Sequence, residues 1–220
     1  MRHLSPELEQ SLDLPGVAPS RQKRSRETTL ALLDTGAQML RTRGLGDLSI
    51  EALCAAVGAT VGAFYSRFES KEAYFNALMA LAARDGERRV AEMAADRSGS
   101  EADLAARCRQ LVGGLIAWMR AHEGVLRAAL QHDDNRPDKW TPFKELARTN
   151  TERATPLLLP AMGKGRRAAK SRTIAFGFQV VLGTLVNAIL NDPGPLSLHD
   201  RELKDRLAGL LLQLLKAEMT

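Results

Sequence analysis

Apolar residues recur every three to four positions along most of the chain, and strict alternation is scarce, so the pattern predicts an all-α fold. Leu30, Leu33, Ala37 and Leu40 mark one face of a first helix, and Gly44 stands where a left-handed cap would stop it. Two short helices follow in quick succession. Ser49 is an N-cap for the first, whose inward residues are Ile50, Leu53, Cys54 and Val57. Gly58 makes the turn, and the second helix spans Thr60 to Arg67 with Phe64 and Phe68 on one side. Ser70 then caps a longer helix carrying Tyr74, Leu78 and Leu81 towards the 90s.

The second half reads the same way. Ser98-Gly99-Ser100 is a break, and Ser98 with Glu101 and Ser100 with Asp103 have capping-box spacing. The helix they open carries Leu104, Cys108, Leu111, Leu115, Trp118 and Met119; after His122-Glu123-Gly124 a separate helix covers Val125 to Gln131. A polar loop from Asp133 to Pro142 leads to a helix over Phe143 to Leu159, interrupted by Pro156 and closed by Pro160 and Gly163. Basic Arg166 to Arg172 precede a very apolar helix ending at Leu190, before Asp192-Pro193-Gly194-Pro195. Ser197 and Asp200 open the last helix, with a stripe of Leu203, Leu207, Leu210, Leu211 and Leu214. The sequence contains no internal repeat and no convincing strand.

Composition narrows the function classes. A net charge of +5 and a pI near 9.5 admit an anionic partner without identifying one. Cys54 and Cys108 cannot form a metal site or a disulfide framework and read as buried thiols. His122, His132 and His199 lack metal-ligand spacing, His132-Asp133-Asp134 reads as a polar loop, and Gly163-Lys164-Gly165 is not a phosphate loop. No cofactor, metal or catalytic constellation is expected, so the chain does not read as an enzyme. The first residues lack the apolar core of a signal peptide. The run from Ile174 to Leu190 contains Gln179, Thr184 and Asn187 and is shorter than the roughly 20 residues of a membrane span. A cytoplasmic protein with no membrane partner is expected. Residues 1–20, with Pro6, Pro15, Gly16 and Pro19, read as a mobile tail. The cluster Arg21, Lys23, Arg24 and Arg26 reads either as a solvated charge run or as a DNA-contacting arm.

Residues 49–72 carry the function. Two short helices joined at Gly58 match a DNA-reading helix-turn-helix, with small Cys54 where the helices cross. The outward face of the second helix is Gly62, Ala63, Ser66 and Arg67, with Tyr65 beside it; small residues permit close approach to a groove, and hydroxyl and guanidinium groups meet phosphates. Lys71, in the first turn of the next helix, opposes the helix dipole unless a phosphate docks there.

The stretch from Leu30 to Leu78 resembles the N-terminal domain of the tetracycline-repressor (TetR) family. The resemblance rests on the Gly44 stop, the Ser49 cap, Gly58 in the turn, Tyr65 and Phe68 as aromatic-x-x-Phe, and Lys71 at the next helix start. It implies a helix-turn-helix domain over 21–72 and a larger helical ligand-binding and dimerisation domain over 73–220. It further implies a homodimer whose last two long helices form a four-helix bundle. The function implied is a ligand-responsive repressor that binds palindromic operator DNA and answers to a small-molecule effector. By the same resemblance Tyr65, Lys71 and Thr60 contact phosphates, while Val61, Gly62 and Ala63 face base edges. Val61 and Glu51 depart from the family's commoner polar and basic residues. Base readout would then rest on thymine methyls, on Arg67, or on the basic arm. The rival reading is a helical small-molecule carrier or sensor with a degenerate DNA-reading head. Leu111, Leu115, Trp118, Phe143, Leu146, Phe176 and Val180 are candidate cavity residues, with plain core packing as the alternative. Gly177 and Gly183 suggest close helix approach.

Overall fold

The computed structural model describes residues 14, 17, 18, 23–95, 103–131 and 141–219. Among them it contains eight α-helices and no strand. These are α1 (Lys23–Met39), α2 (Ile50–Ala56), α3 (Val61–Tyr65), α4 (Lys71–Ala95), α5 (Leu104–Gln131), α6 (Thr141–Leu158), α7 (Arg167–Leu190) and α8 (Arg201–Ala217). A short 3-10 helix, Leu159–Met162, follows α6. The expected break at Ser98 to Ser100, the first residues of its capping boxes, and the His132-Asp133-Asp134 segment lie outside the described residues.

The helices form two compact units: one takes the chain up to Asp85 together with His122–Pro142, the other Gly86–Ala121 with Phe143–Thr220. The boundaries between the units do not fall in linkers, because α4, α5 and α6 each run through one.

In the first unit, α1 packs on α2 and α2 on α3. Leu32, Leu33, Leu53, Phe64, Phe68 and Tyr74 are fully or almost fully buried, which makes this small unit's core unusually aromatic. Gly44 is not the stop of α1. The helix ends at Met39, Leu40 to Thr42 close it with turn hydrogen bonds, and Gly44 is not left-handed. Of the segment expected to be a mobile tail, Leu14 is buried, Val17 bridges Phe68, and the Ala18 amide donates to the Arg67 carbonyl at 2.8 Å.

His122, at the expected break, has non-helical backbone angles (φ −109°, ψ 15°), so α5 is two helices joined across a kink there. Gly124, two residues past the kink, also serves close approach: a Cβ there would lie 2.6 Å from the Arg41 amide nitrogen. Arg127 adds a hydrogen bond to the Arg41 carbonyl at 3.1 Å, satisfying a group just past the end of α1.

In the second unit Asp103 caps α5, its carboxylate accepting from the Ala106 amide at 2.7 Å. Thr141 and Pro142, expected in a loop, already belong to α6. Pro156 lies inside α6 without interrupting it, close enough to the end that the 3-10 turn takes over three residues later. Helix α7 packs on α8, where Gly177 meets Leu211; a Cβ at Gly177 would sit 2.5 Å from that side chain. A Cβ at Gly183, by contrast, would meet nothing from another helix within 4 Å among the described residues. At 24 residues α7 is long and apolar enough to cross a membrane by length and composition alone, its first turns being the basic segment that precedes the apolar run from Ile174 to Leu190. Ile174, Gly177, Phe178, Val181, Leu185, Ala188 and Ile189 are buried within the unit.

Candidate nucleic-acid interface and ligand pocket

The helix-turn-helix is built by caps and one left-handed glycine. Ser49 accepts from the Ala52 amide at 3.1 Å, and Thr60 from the Ala63 amide at 3.1 Å, so each short helix starts on a side-chain oxygen. Between them Gly58 adopts φ +67°, which costs glycine nothing and an L-residue about 1 kcal/mol. Phe64 locks α3 from beneath: its ring lies 5.1 Å from Phe68 and 5.2 Å from Tyr74. A five-residue helix has little stability of its own, so this cluster fixes its direction.

That anchoring decides what α3 presents. Thr60 and Gly62 are exposed, Val61 and Ala63 are partly exposed, and Tyr65 is 52% exposed with its ring edge on Phe64. These residues form one continuous small-residue surface with a phenol at its end. The Thr60 hydroxyl oxygen is occupied as a cap acceptor.

Arg67 and Lys71 are more engaged than their sequence positions suggest. The Arg67 guanidinium reaches back to α1, donating to the Ser25 hydroxyl at 3.1 Å, and it also donates to the Ala63 carbonyl. It therefore ties the helix-turn-helix to α1. The Lys71 ammonium donates to the Gly46 carbonyl at 3.0 Å, and Ser70 accepts from the Ala73 amide in the same turn. Exposed Arg24 and Arg26 start α1, while Arg21 lies outside the described residues. Glu51 accepts from the Ser49 hydroxyl at 2.8 Å. Its own backbone amide, followed by that hydroxyl, holds the carboxyl below the usual range, so this exposed site carries a negative charge beside α2's start.

The second unit encloses a pocket with about 560 Å³ of empty space, part of it open to solvent. Four helices contribute residues at helical spacing: Gly86, Val90 and Met93 of α4; Leu111, Leu115 and Trp118 of α5; Asn150, Ala154 and Leu157 of α6; Phe178 and Leu182 of α7. Arg89 and Arg153 line it as well. Of the residues proposed from sequence, the structure brings Leu111, Leu115 and Trp118 to this pocket. Phe143 is buried behind Trp118, 6.2 Å between ring centroids, and Leu146 is buried against Gly86. Phe176 is 52% exposed and Val180 partly exposed, on another face of α7. The α4 and α6 contributions were missed. The usable signal was spacing of three to four residues in both helices, with glycine or alanine leaving room.

Comparison with known proteins bears on the first unit most directly. Residues 32–78 match the family model described as bacterial regulatory proteins, tetR family. Over that segment the chain is similar to the bacterial regulatory proteins of the tetR family. A transcriptional regulator from Cytophaga hutchinsonii ATCC 33406 has a similar structure, with TM-score 0.64 and 14% identity over 86% of this chain and 97% of that one. A tetR-family transcriptional regulator from Streptomyces coelicolor gives 0.61 and 16%, over 86% and 78%. A gamma-butyrolactone receptor (ArpA-like protein) gives 0.52 and 20%, over 88% and 98%. No curated protein matches the chain significantly. These likenesses extend the TetR-type fold, a helix-turn-helix domain followed by a helical domain, over most of the chain. The family is one of transcriptional regulators rather than enzymes. Among the described residues no group of three His, Cys, Asp or Glu side chains is placed to hold a metal.

Proposed function

We propose that this chain is a cytoplasmic, ligand-responsive transcriptional repressor that binds a palindromic operator as a homodimer. The observation that carries the reading is the presentation of α3: capped by Thr60, pinned by buried Phe64, and exposing Gly62 and Tyr65 on the side away from the core. Small residues let the helix backbone approach base edges, and Tyr65, Lys71 and Thr60 would contact phosphates around it. Val61 and Ala63 would meet thymine methyls. Arg67 serves mainly as the strut to α1.

Dimerisation rests on α7 and α8. Phe176, Val180, Gly183 and Thr184 recur along one uncovered side of α7, and Leu210 is 40% exposed on α8. A helix apolar on both sides wants a second partner, and a second copy supplies it symmetrically. The pocket is then the effector site, a reading supported by the small-molecule receptor among the fold's relatives. An effector favouring the spacing of the two reading heads that misses successive major grooves lowers operator affinity by population shift.

Selection of duplexes from a random DNA pool, then titration of the winner across salt concentrations, tests the proposal. An enriched inverted repeat bound far more tightly than bulk DNA supports it. Weak, salt-sensitive binding without enrichment overturns it.

A further inference from the structure

The pocket of the second unit has two unlike ends. A Cβ at Gly86 would lie 2.6 Å from a methyl of Leu146 and 3.1 Å from the Trp118 indole nitrogen, so α4, α6 and α5 meet at that level. A Cβ at Gly114 would lie 2.9 Å from the Met93 sulfur, which marks the other level. Seven residues of α4 separate Gly86 from Met93, a rise of about 10 Å, the length of an extended chain of roughly eight carbons. Asn150 lines the pocket near its first end: it stands one helical turn past Leu146 and just before Arg153, whose guanidinium donates to the Glu87 carbonyl at 3.2 Å. The Asn150 Oδ1 is buried and has no hydrogen-bond partner among the described residues, a costly state for an amide oxygen held away from water. Arg153 is engaged by that carbonyl and Arg89 has an interaction of its own, so the group that calls for a ligand atom is the amide oxygen. Met93, Leu111, Leu115, Leu157 and Leu182 give the wall hydrocarbon along its length.

We infer that the pocket takes a chain-shaped apolar alcohol, its hydroxyl donating to Asn150 Oδ1 and its chain running along α4 towards Met93. A hydroxyl supplies the one donor that the oxygen lacks, and it is uncharged, so it enters a hydrocarbon-walled site without the desolvation of an ion. A site with a buried polar atom to satisfy discriminates against an analogue that leaves it unpaired, which makes the donor the element of specificity. The chain supplies affinity in proportion to the apolar area it buries, up to the length of the pocket. The inference rests on the effector-site reading above and names the chemistry that the site recognises.

Calorimetric titration of the full chain with 2-octanol and 2-octanone, in the absence of DNA, tests it, because the two share a skeleton and differ in the donor. The alcohol should bind about tenfold more tightly than the ketone, and 2-octanol roughly tenfold more tightly than 2-hexanol. Octanoate, of the same chain length, should bind no more tightly than 2-octanol. Asn150→Leu should erase the difference between alcohol and ketone while leaving ketone binding in place. Leu157→Trp, at a half-buried position, crowds the path of the chain and should weaken both ligands at least tenfold. Melting curves confirm that each variant is folded. Equal affinity of wild type for alcohol and ketone, tighter binding of the ketone or of octanoate, binding indifferent to Leu157→Trp, or no binding at all overturns the inference. Because the readout is free of DNA, its failure is separable from that of the regulatory reading. An operator found by selection stands whichever way the alcohols behave. Alcohol binding without any operator would sink the regulatory reading and leave this inference standing.

Discussion

The hydroxyl of Tyr74 donates to the carbonyl of Leu32 at 2.7 Å, joining the start of α4 to the middle of α1 across 42 residues. Gly36 makes that contact possible: a Cβ there would lie 1.6 Å from the tyrosine oxygen. Alanine is ordinarily the better helix former by about 1 kcal/mol, so intrinsic propensity and tertiary packing oppose each other at this position. The overlap decides it. Gly36→Ala should destabilise the first unit by roughly 1–3 kcal/mol, the usual cost of overpacking, and Tyr74→Phe by about 1 kcal/mol. Denaturant unfolding of both single variants and the double variant would show coupling, with Gly36→Ala costing less in the Tyr74→Phe background. Additive losses would mean that the two residues do not meet as described.

On the DNA side, Lys71→Ala should weaken binding to specific and bulk duplex alike and reduce the salt slope by about one. The ammonium's bond to the Gly46 carbonyl is exposed, so the fold should lose little. Tyr65→Phe keeps the ring edge on Phe64 and removes only the hydroxyl. Its operator affinity should fall roughly five- to tenfold, one hydrogen bond's worth, with the melting temperature unchanged. Fluorescence anisotropy over a salt series measures both effects; wild-type affinity in both variants would remove these residues from the interface.

Alkaline pH should weaken the fold through three buried groups. Burial, with Asp103 adding to it, pushes the Cys108 thiol up to about 11, and burial also raises Cys54 and Tyr74. A group whose pKa is raised in the folded state favours folding fully below its unfolded value and loses that contribution as pH climbs towards the folded one. For Cys108 the window runs from about 9 to about 11. Stability measured in urea should decline across it, and Cys108→Ala should show a shallower decline. The native thiols should also react slowly with iodoacetamide at pH 8, since the thiolate is the nucleophile. Rapid alkylation of both in the folded protein would contradict this burial.

The all-helical fold and the helix-turn-helix were legible because the evidence for them is local. Caps at Ser49, Thr60 and Ser70, the turn at Gly58 and the apolar period around Phe64 all act within a few residues. The closing of α1 by Leu40 to Thr42 rather than at Gly44, and the close approach at Gly124, were not legible for the opposite reason. A glycine that ends a helix and one that lets a neighbouring backbone come close look identical in sequence, and only the packing of α5 against Leu40 and Arg41 tells them apart. The same limit explains Arg67, whose outward position on a helical wheel hides a bond to Ser25. It explains Phe176 too: α7 is apolar on several sides, so periodicity alone does not say which side faces the pocket.

Phe176 now leads to the last prediction. Half of the Phe176 surface is exposed, and Leu210 on the packed neighbouring helix α8 is 40% exposed, so both keep apolar surface that the described residues of the second unit leave uncovered. Buried interface aromatics commonly carry 2 kcal/mol or more of association energy, and a charge introduced there would also have to be desolvated. Phe176→Glu and Leu210→Glu should each weaken self-association roughly 30-fold or more while leaving helix content and melting of the monomer intact. Sedimentation velocity over a concentration series reads the shift directly. The same variants should lose affinity for an inverted repeat far more than for a single half-site, because only the paired heads profit from two grooves. If both remain dimeric, the subunit contact lies elsewhere. If wild type is monomeric at every concentration, these apolar residues do not face a second copy of the chain.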